Sequence, residues 1–160
     1  MISALAAIAS AIYTGMTYKA TVALKKHDSI LRLRLADETL RAAVLALPGL
    51  LERARDSRQA VWAAIGWGRS GPMQVWEARV KELEAEIQAL QRCLPGEGNL
   101  ASRSLEALTD LISANHSLQQ RAFAVRDELN EGLRADDRQR DHLHEDHRAA
   151  MAARLAQPGR

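Results

Sequence analysis

The feature that most constrains this chain is its first 18 residues, none of which carries a charged side chain. The first charge is Lys19, and the apolar character continues as far as Leu24. A helix over residues 1–24 is long enough to cross a bilayer, because about 20 residues span the ~30 Å of hydrocarbon. In water, the same helix would be apolar on most of its circumference and would need burial on nearly every side. The sequence therefore predicts that residues 1–24 are embedded in a membrane or buried in partner protein.

The composition of this segment keeps both interpretations open. Its Ala, Ser, Thr and Gly residues make membrane insertion only marginally favourable. A cleaved signal peptide is disfavoured, because no Lys or Arg precedes position 19. Small side chains let helices approach closely, and hydroxyl groups can hydrogen-bond between them. At alternating steps of four and three, such residues predict a packing stripe: Ser3, Ala7, Ser10, Thr14, Thr17 and Thr21.

The charges are distributed unevenly along the chain. Residues 1–72 contain ten Lys/Arg against five Asp/Glu, a net charge of +5. Residues 73–160 contain twelve Lys/Arg against fifteen Asp/Glu, a net charge of −3, so the whole chain carries +2. A basic segment beside an apolar one suits contact with anionic lipid. If residues 1–24 span the membrane, the cations that follow place the bulk of the chain in the cytoplasm. If they do not, the expected location is simply cytoplasmic. Nucleic-acid binding would need a denser basic patch.

The overall composition predicts an all-α fold. Ala, Leu, Arg and Glu dominate, and these residues favour helices because they lose little side-chain freedom there. We expect a basic helical region over 25–71, ending in a Gly-rich loop. Its "ILRLRL" stretch alternates like a strand, but the surrounding apolar residues keep a helical face, so we interpret it as helix. Pro48-Gly49 is expected to bend or break this region.

Residues 72–133 predict an antiparallel helical hairpin with coiled-coil seams, within an elongated bundle. Leucines and other apolar residues recur there at alternating steps of three and four, the spacing of heptad packing. Asn115 interrupts the second seam, either to set register or because it lies at a wetter edge. The predicted interaction seam comprises Trp76, Val80, Leu83, Ile87, Leu90, Leu94, Leu108, Leu111, Asn115, Leu118, Val125 and Leu129.

Residues 134–160 are rich in charge and histidine and predict a solvated helical extension or a frayed tail. Asp141, His144 and His147 are weak candidates for metal ligands. A metal site also needs ligands from a second element, and the sequence offers none. We therefore expect no metal and no other cofactor.

The remaining motifs do not predict an enzyme. "GWGRSG" matches G-x-G-x-x-G, but the dinucleotide fingerprint needs a preceding strand, and none is expected. Trp62, Trp67 and Trp76 bracket this loop and suit either an interaction site or the end of a helical bundle. Cys93 is the only cysteine, so no intrachain disulfide can form, and no activating residue is identifiable beside it.

These observations predict a non-enzymatic helical scaffold, adaptor or accessory subunit of a membrane-associated complex. It would bind protein partners and other copies of itself through the seams, and would meet the membrane through residues 1–24. No nucleic acid or small-molecule substrate is expected. Two alternatives are a soluble subunit with residues 1–24 buried in partners, and an oligomeric membrane-active or channel component.

Overall fold

The computed structural model describes residues 2–66, 70–96 and 98–156, and the side chains of these from residue 17 to residue 155. They form three α-helices: α1 (Ile2–Ala64), α2 (Gly71–Arg92) and α3 (Leu105–Ala156). A short 3₁₀ helix, Leu100–Ser102, lies between α2 and α3. No strand occurs in these ranges, so the all-α prediction is confirmed.

Helix α1 continues through Pro48, so the break that the sequence offered as one of two outcomes there does not occur. Proline in a helix interior removes one backbone hydrogen bond, and its ring clashes with the preceding turn, at a cost of about 3 kcal/mol. Leu47, Leu50 and Leu51 on either side of it are buried. Burying each leucine contributes about 1.5–3 kcal/mol, so packing on both sides of Pro48 outweighs the local cost.

Turn chemistry fixes the ends of the other two helices. Pro72 lies in the first turn of α2, where its missing N–H would have no helical partner in any case. The backbone N–H of Cys93 bonds back to the carbonyls of Ala89 and Leu90 and closes the helix. Helix α3 begins after Ser104, whose Oγ accepts a 3.1 Å hydrogen bond from the Ala107 N–H.

The charged C-terminal segment is helical in the structure as far as Ala156. Almost all of its residues beyond Arg140 are exposed. Of the two expectations for residues 134–160, the solvated helical extension therefore describes residues 141–155, whereas Asp136 is buried in unit 2.

The chain divides into two compact units. Unit 1 comprises Met1–Arg41 with Leu94–Gln119, and unit 2 comprises Ala42–Cys93 with Gln120–Arg160. Unit 1 buries Leu33, Leu40, Leu108 and Asn115. The larger core of unit 2 draws on all three helices and includes Val44, Leu47, Leu50, Leu51, Ala54, Val61, Met73, Val80, Leu83, Ile87, Leu90, Ala122, Val125 and Leu129.

Ion pairs join the three helices of unit 2 at its surface. Arg79 of α2 forms a bidentate pair with Glu128 of α3, with both N–O distances at 2.7 Å. Hydrogen bonding from Arg79 holds the pKa of Glu128 below its usual range. Arg121 of α3 lies 3.6 Å from Glu86 of α2, and Arg55 of α1 lies 3.6 Å from Glu84. These pairs are partly solvated, so each contributes at most about 1 kcal/mol.

Candidate interaction surface

Most side chains of the predicted interaction seam are covered by the rest of this chain. Trp76, Leu94, Leu111 and Leu118 are partly exposed. The others are buried, namely Val80, Leu83, Ile87, Leu90, Leu108, Asn115, Val125 and Leu129. A partner that leaves the fold intact must therefore contact other surfaces.

The first such surface is the N-terminal arm of α1, which we define as residues 17–28. Nearly every residue of the arm is exposed, including Tyr18, Val22 and Leu24. Val22 and Leu24 are two positions apart, which places them about 200° apart around the helix. Apolar side chains are therefore uncovered on opposite sides of the arm.

Only part of the predicted small-residue stripe can be located. The Thr21 hydroxyl donates a 2.8 Å hydrogen bond to the Thr17 carbonyl one turn earlier, so it is engaged within α1. Ser3, Ala7, Ser10 and Thr14 lie outside the described side chains. Within the described parts of the chain, no helix contains a stretch both long and apolar enough to cross a membrane.

The second surface is a row of three leucines on α1 in unit 1, which we call the outer stripe: Leu24, Leu31 and Leu35. Their exposed fractions are 71%, 51% and 67%. Spacings of seven and four keep them within about 40° of one another on a helix. Leu33 and Leu40, by contrast, are buried on the opposite side of α1. The "ILRLRL" alternation is thus a helix with two apolar faces.

Basic side chains flank the outer stripe. Lys25 and Arg32 each follow a stripe leucine by one position, and Arg34 precedes one by one position. A one-residue step is about 100° around a helix, so the cations form rims on both sides of the leucines. All three are exposed. Asp28 also lies near the stripe and pairs with Arg32 at 2.9 Å.

A polar cluster lies inside unit 2, where all three of its helices contribute. The Arg58 guanidinium carbon is 5.6 Å from the ring centre of Trp62 and 5.1 Å from that of Trp76. Arg58 Nε lies 2.7 Å from a carboxylate oxygen of Asp136, which is only 3% exposed. That N–H has no aligned hydrogen bond, so the contact is an ion pair. Arg58 also donates to the Gly132 carbonyl at 3.3 Å.

Burial dominates the electrostatics of this cluster. It raises the pKa of Asp136 above its usual range, and the opposing effects of Arg58, Ser57 and Arg140 do not cancel it. Arg140 itself donates a hydrogen bond to the Ser57 hydroxyl. A cleft of about 480 Å³ opens beside Arg58 and Trp62. The arrangement ties α3 to α1.

Unit 1 contains a smaller buried polar contact. Asn115 of α3 donates a hydrogen bond from its side-chain amide to the Asp37 carboxylate of α1. Asn115 is buried, which distinguishes between the two interpretations offered by the sequence, because a wet edge would leave it exposed. A polar pair of this kind favours one helix register over others.

The remaining sequence motifs do not assemble into a chemical site. Asp141, His144 and His147 are exposed on α3. Among the described residues, no three His, Cys, Asp or Glu side chains are grouped so that they could hold a metal ion, so the weak metal hypothesis gains no support. Helix α1, not a strand, precedes the G-x-G-x-x-G motif, and Trp67 and Gly68 lie outside the described residues.

Sequence reasoning missed the outer stripe and the Arg58–Asp136 pair. The signal for the stripe was the alternation in "ILRLRL", because alternation on a helix places leucines on opposite faces. The pair had no such signal, since its members lie on different helices far apart in sequence. Comparisons with protein-family models, with curated proteins and with solved structures gave no match for this chain.

Proposed function

We propose that this protein is a non-enzymatic helical adaptor or accessory subunit of a membrane-associated complex. In this proposal, each of the two units is a stable helical body, and the N-terminal arm of α1 attaches the protein to the complex. The carrying observation is that Tyr18, Val22 and Leu24 of the arm are 71%, 38% and 71% exposed.

The source of helix stability supports a partner for the arm. The arm continues α1 and needs no nucleus of its own, but most helix stability in proteins comes from packing an apolar face. Every side chain of the arm from residue 17 to residue 25 is exposed, so this part of the arm lacks such packing among the described residues. An external surface that covers its apolar side chains would supply the missing stabilisation.

The charges of the arm favour a membrane-associated setting. Lys19, Lys25 and Lys26 follow an apolar segment that has no charge of its own. Anionic lipid attracts such cations by about 1 kcal/mol each close to the surface. The bulk of the chain would then lie on the cytoplasmic side.

The helical body of unit 2 would be built around an antiparallel hairpin of α2 and α3, as the sequence predicted. The ion pairs support this arrangement, because Arg79 pairs with Glu128 whereas the later Glu86 pairs with the earlier Arg121. Such reversed numbering is expected when two helices run in opposite directions. The seams would serve this internal packing, and the exposed faces of α1 would serve partners.

Cell fractionation of the full-length chain tests the proposal. We expect the protein to sediment with membranes and to resist carbonate washing. Carbonate resistance would come from the apolar segment, and replacing Lys19, Lys25 and Lys26 together with Glu should lower the fraction that sediments, because these positions would then repel anionic lipid. The matched control replaces Arg53, Lys81 and Arg154 with Glu, since these exposed cations lie elsewhere. Recovery of wild type entirely in the supernatant would contradict membrane association.

A second candidate is a soluble helical subunit whose N-terminal segment is buried in protein partners. It is favoured by the lack, within the described residues, of a helix able to cross a membrane. In that case the untagged protein would be recovered in the supernatant at the mass of a larger assembly, which size-exclusion chromatography with light scattering would measure.

A further inference from the structure

We propose that the outer stripe of α1, Leu24, Leu31 and Leu35, docks an amphipathic helix of a partner protein whose apolar seam is flanked by acidic side chains. This inference rests on the proposed adaptor function and identifies the chemistry of one partner. The stripe shares Leu24 and Lys25 with the N-terminal arm, so the two proposals are distinguished by their assays, which are carbonate resistance for the arm and peptide preference for the stripe.

The geometry of the stripe fits a helix better than a small ligand. The three leucines are spaced by seven and four residues, as in a heptad seam, and each is at least half exposed. Two helices pack along such a row because side chains at these spacings lie on one face. The buried leucines of unit 1 occupy the other side of α1, so docking would not disturb that core.

Charge complementarity identifies the occupant. Lys25, Arg32 and Arg34 occupy positions beside the stripe that correspond to the flanking positions of a coiled coil. Charges at those positions select partner and orientation. An acidic flank would pair with these cations, whereas a second copy laid parallel would bring the same cations into opposition.

Two exposed acidic side chains near the stripe, Asp28 and Glu38, separate a protein partner from lipid. Asp28 reaches Arg32 at 2.9 Å, and both acidic residues lie where an anionic bilayer would meet the helix. Lipid headgroups would be repelled at both positions. A partner helix can place a neutral or basic residue opposite Asp28, and a bilayer cannot.

The test uses full-length protein and two synthetic helical peptides that share a leucine seam. One peptide carries Glu at both flanking positions, and the other carries Lys. Fluorescence anisotropy at low salt should give about tenfold tighter binding of the Glu peptide than of the Lys peptide. Each exposed ion pair contributes a small part of the binding free energy, and three together account for about this difference in affinity. The preference should shrink as salt is added.

Substitutions then assign the binding to the stripe. Leu31→Asp should weaken binding of the Glu peptide at least tenfold, while Val75→Asp, at a more exposed apolar position on α2, should leave it unchanged. Replacing Lys25, Arg32 and Arg34 with Glu should reverse the peptide preference. Circular dichroism should give the wild-type helix content for all variants, since these side chains are exposed.

Other results would overturn the proposal. Equal binding of the two peptides, no binding of either, or full binding by Leu31→Asp would exclude an acidic helix as the occupant. A dimer of the full chain that Leu31→Asp converts to monomer would assign the stripe to a second copy. Loss of binding to phosphatidylcholine–phosphatidylglycerol vesicles with Leu31→Asp, without peptide binding, would assign it to lipid. Failed carbonate resistance with retained peptide preference would refute only the membrane setting.

Discussion

Replacing Leu83 with Ala should destabilise the folded chain by about 3–4 kcal/mol. Leu83 lies in the middle of α2 and is fully buried. The substitution deletes three carbon atoms, which at about 0.8 kcal/mol for each buried methylene gives about 2.4 kcal/mol. The unfilled cavity adds to this, and comparable Leu→Ala changes cost about 2–5 kcal/mol. For a chain of this length the loss corresponds to about 6–16 °C in the unfolding temperature.

Urea unfolding followed by circular dichroism measures this loss, with Val75→Ala as the control. Val75 is on the same helix but largely exposed, so its replacement should change the free energy of unfolding by no more than about 0.5 kcal/mol. Because Leu83 is covered within one chain, its effect should not depend on protein concentration. A loss below about 1 kcal/mol would contradict the full burial of Leu83. A loss that depends on protein concentration would mean that the seam joins separate chains.

Two further predictions concern α1 and the polar cluster. Pro48→Ala should stabilise the fold by up to about 3 kcal/mol, because Pro48 lies in a helix interior. Gly49→Ala should stabilise it by about 0.5–1 kcal/mol, because Gly49 is also in the helix interior and a Cβ there meets nothing within 4 Å. Destabilisation by Pro48→Ala in urea unfolding would indicate that a proline-induced bend is needed for packing. Burial raises the pKa of Asp136, so the folded chain holds this proton more tightly than the unfolded chain does. The contribution of Asp136 to the free energy of unfolding should therefore rise as pH falls through its folded pKa and be lost as pH rises. The difference between wild type and Asp136→Asn, measured from about pH 7 to 4, should grow towards acid; a difference that shrinks towards acid would contradict the stated cause.

The helices could be predicted from sequence because local and long-range preferences agree over most of the chain. Heptad spacing around Val80 to Leu90 indicates both a helix and its buried face, and those side chains are buried. At Pro48 the two preferences conflict. The local cost is visible in the sequence, but the burial of Leu47 and Leu51 that outweighs it depends on residues distant in the chain.

The candidate sites were less predictable than the helices. The second apolar face of α1 was present in the sequence as the alternation of Leu31, Leu33 and Leu35, which a strand would also produce. The ion pair of Arg58 and Asp136 required knowledge of which helices meet. Neither residue belongs to a local motif, so only the fold brings the two together.

The placement of the Arg58 cluster has a spectroscopic consequence. The two segments of unit 1 contain no tryptophan, whereas Trp62 and Trp76 belong to unit 2 and lie against the Arg58 guanidinium. Indole emission excited near 295 nm therefore carries no signal from unit 1, with no label added. Backbone ellipticity, by contrast, reports on the helices of both units. Comparing the thermal transition of the indole emission with that of the ellipticity therefore reveals whether the two units melt together or one after the other.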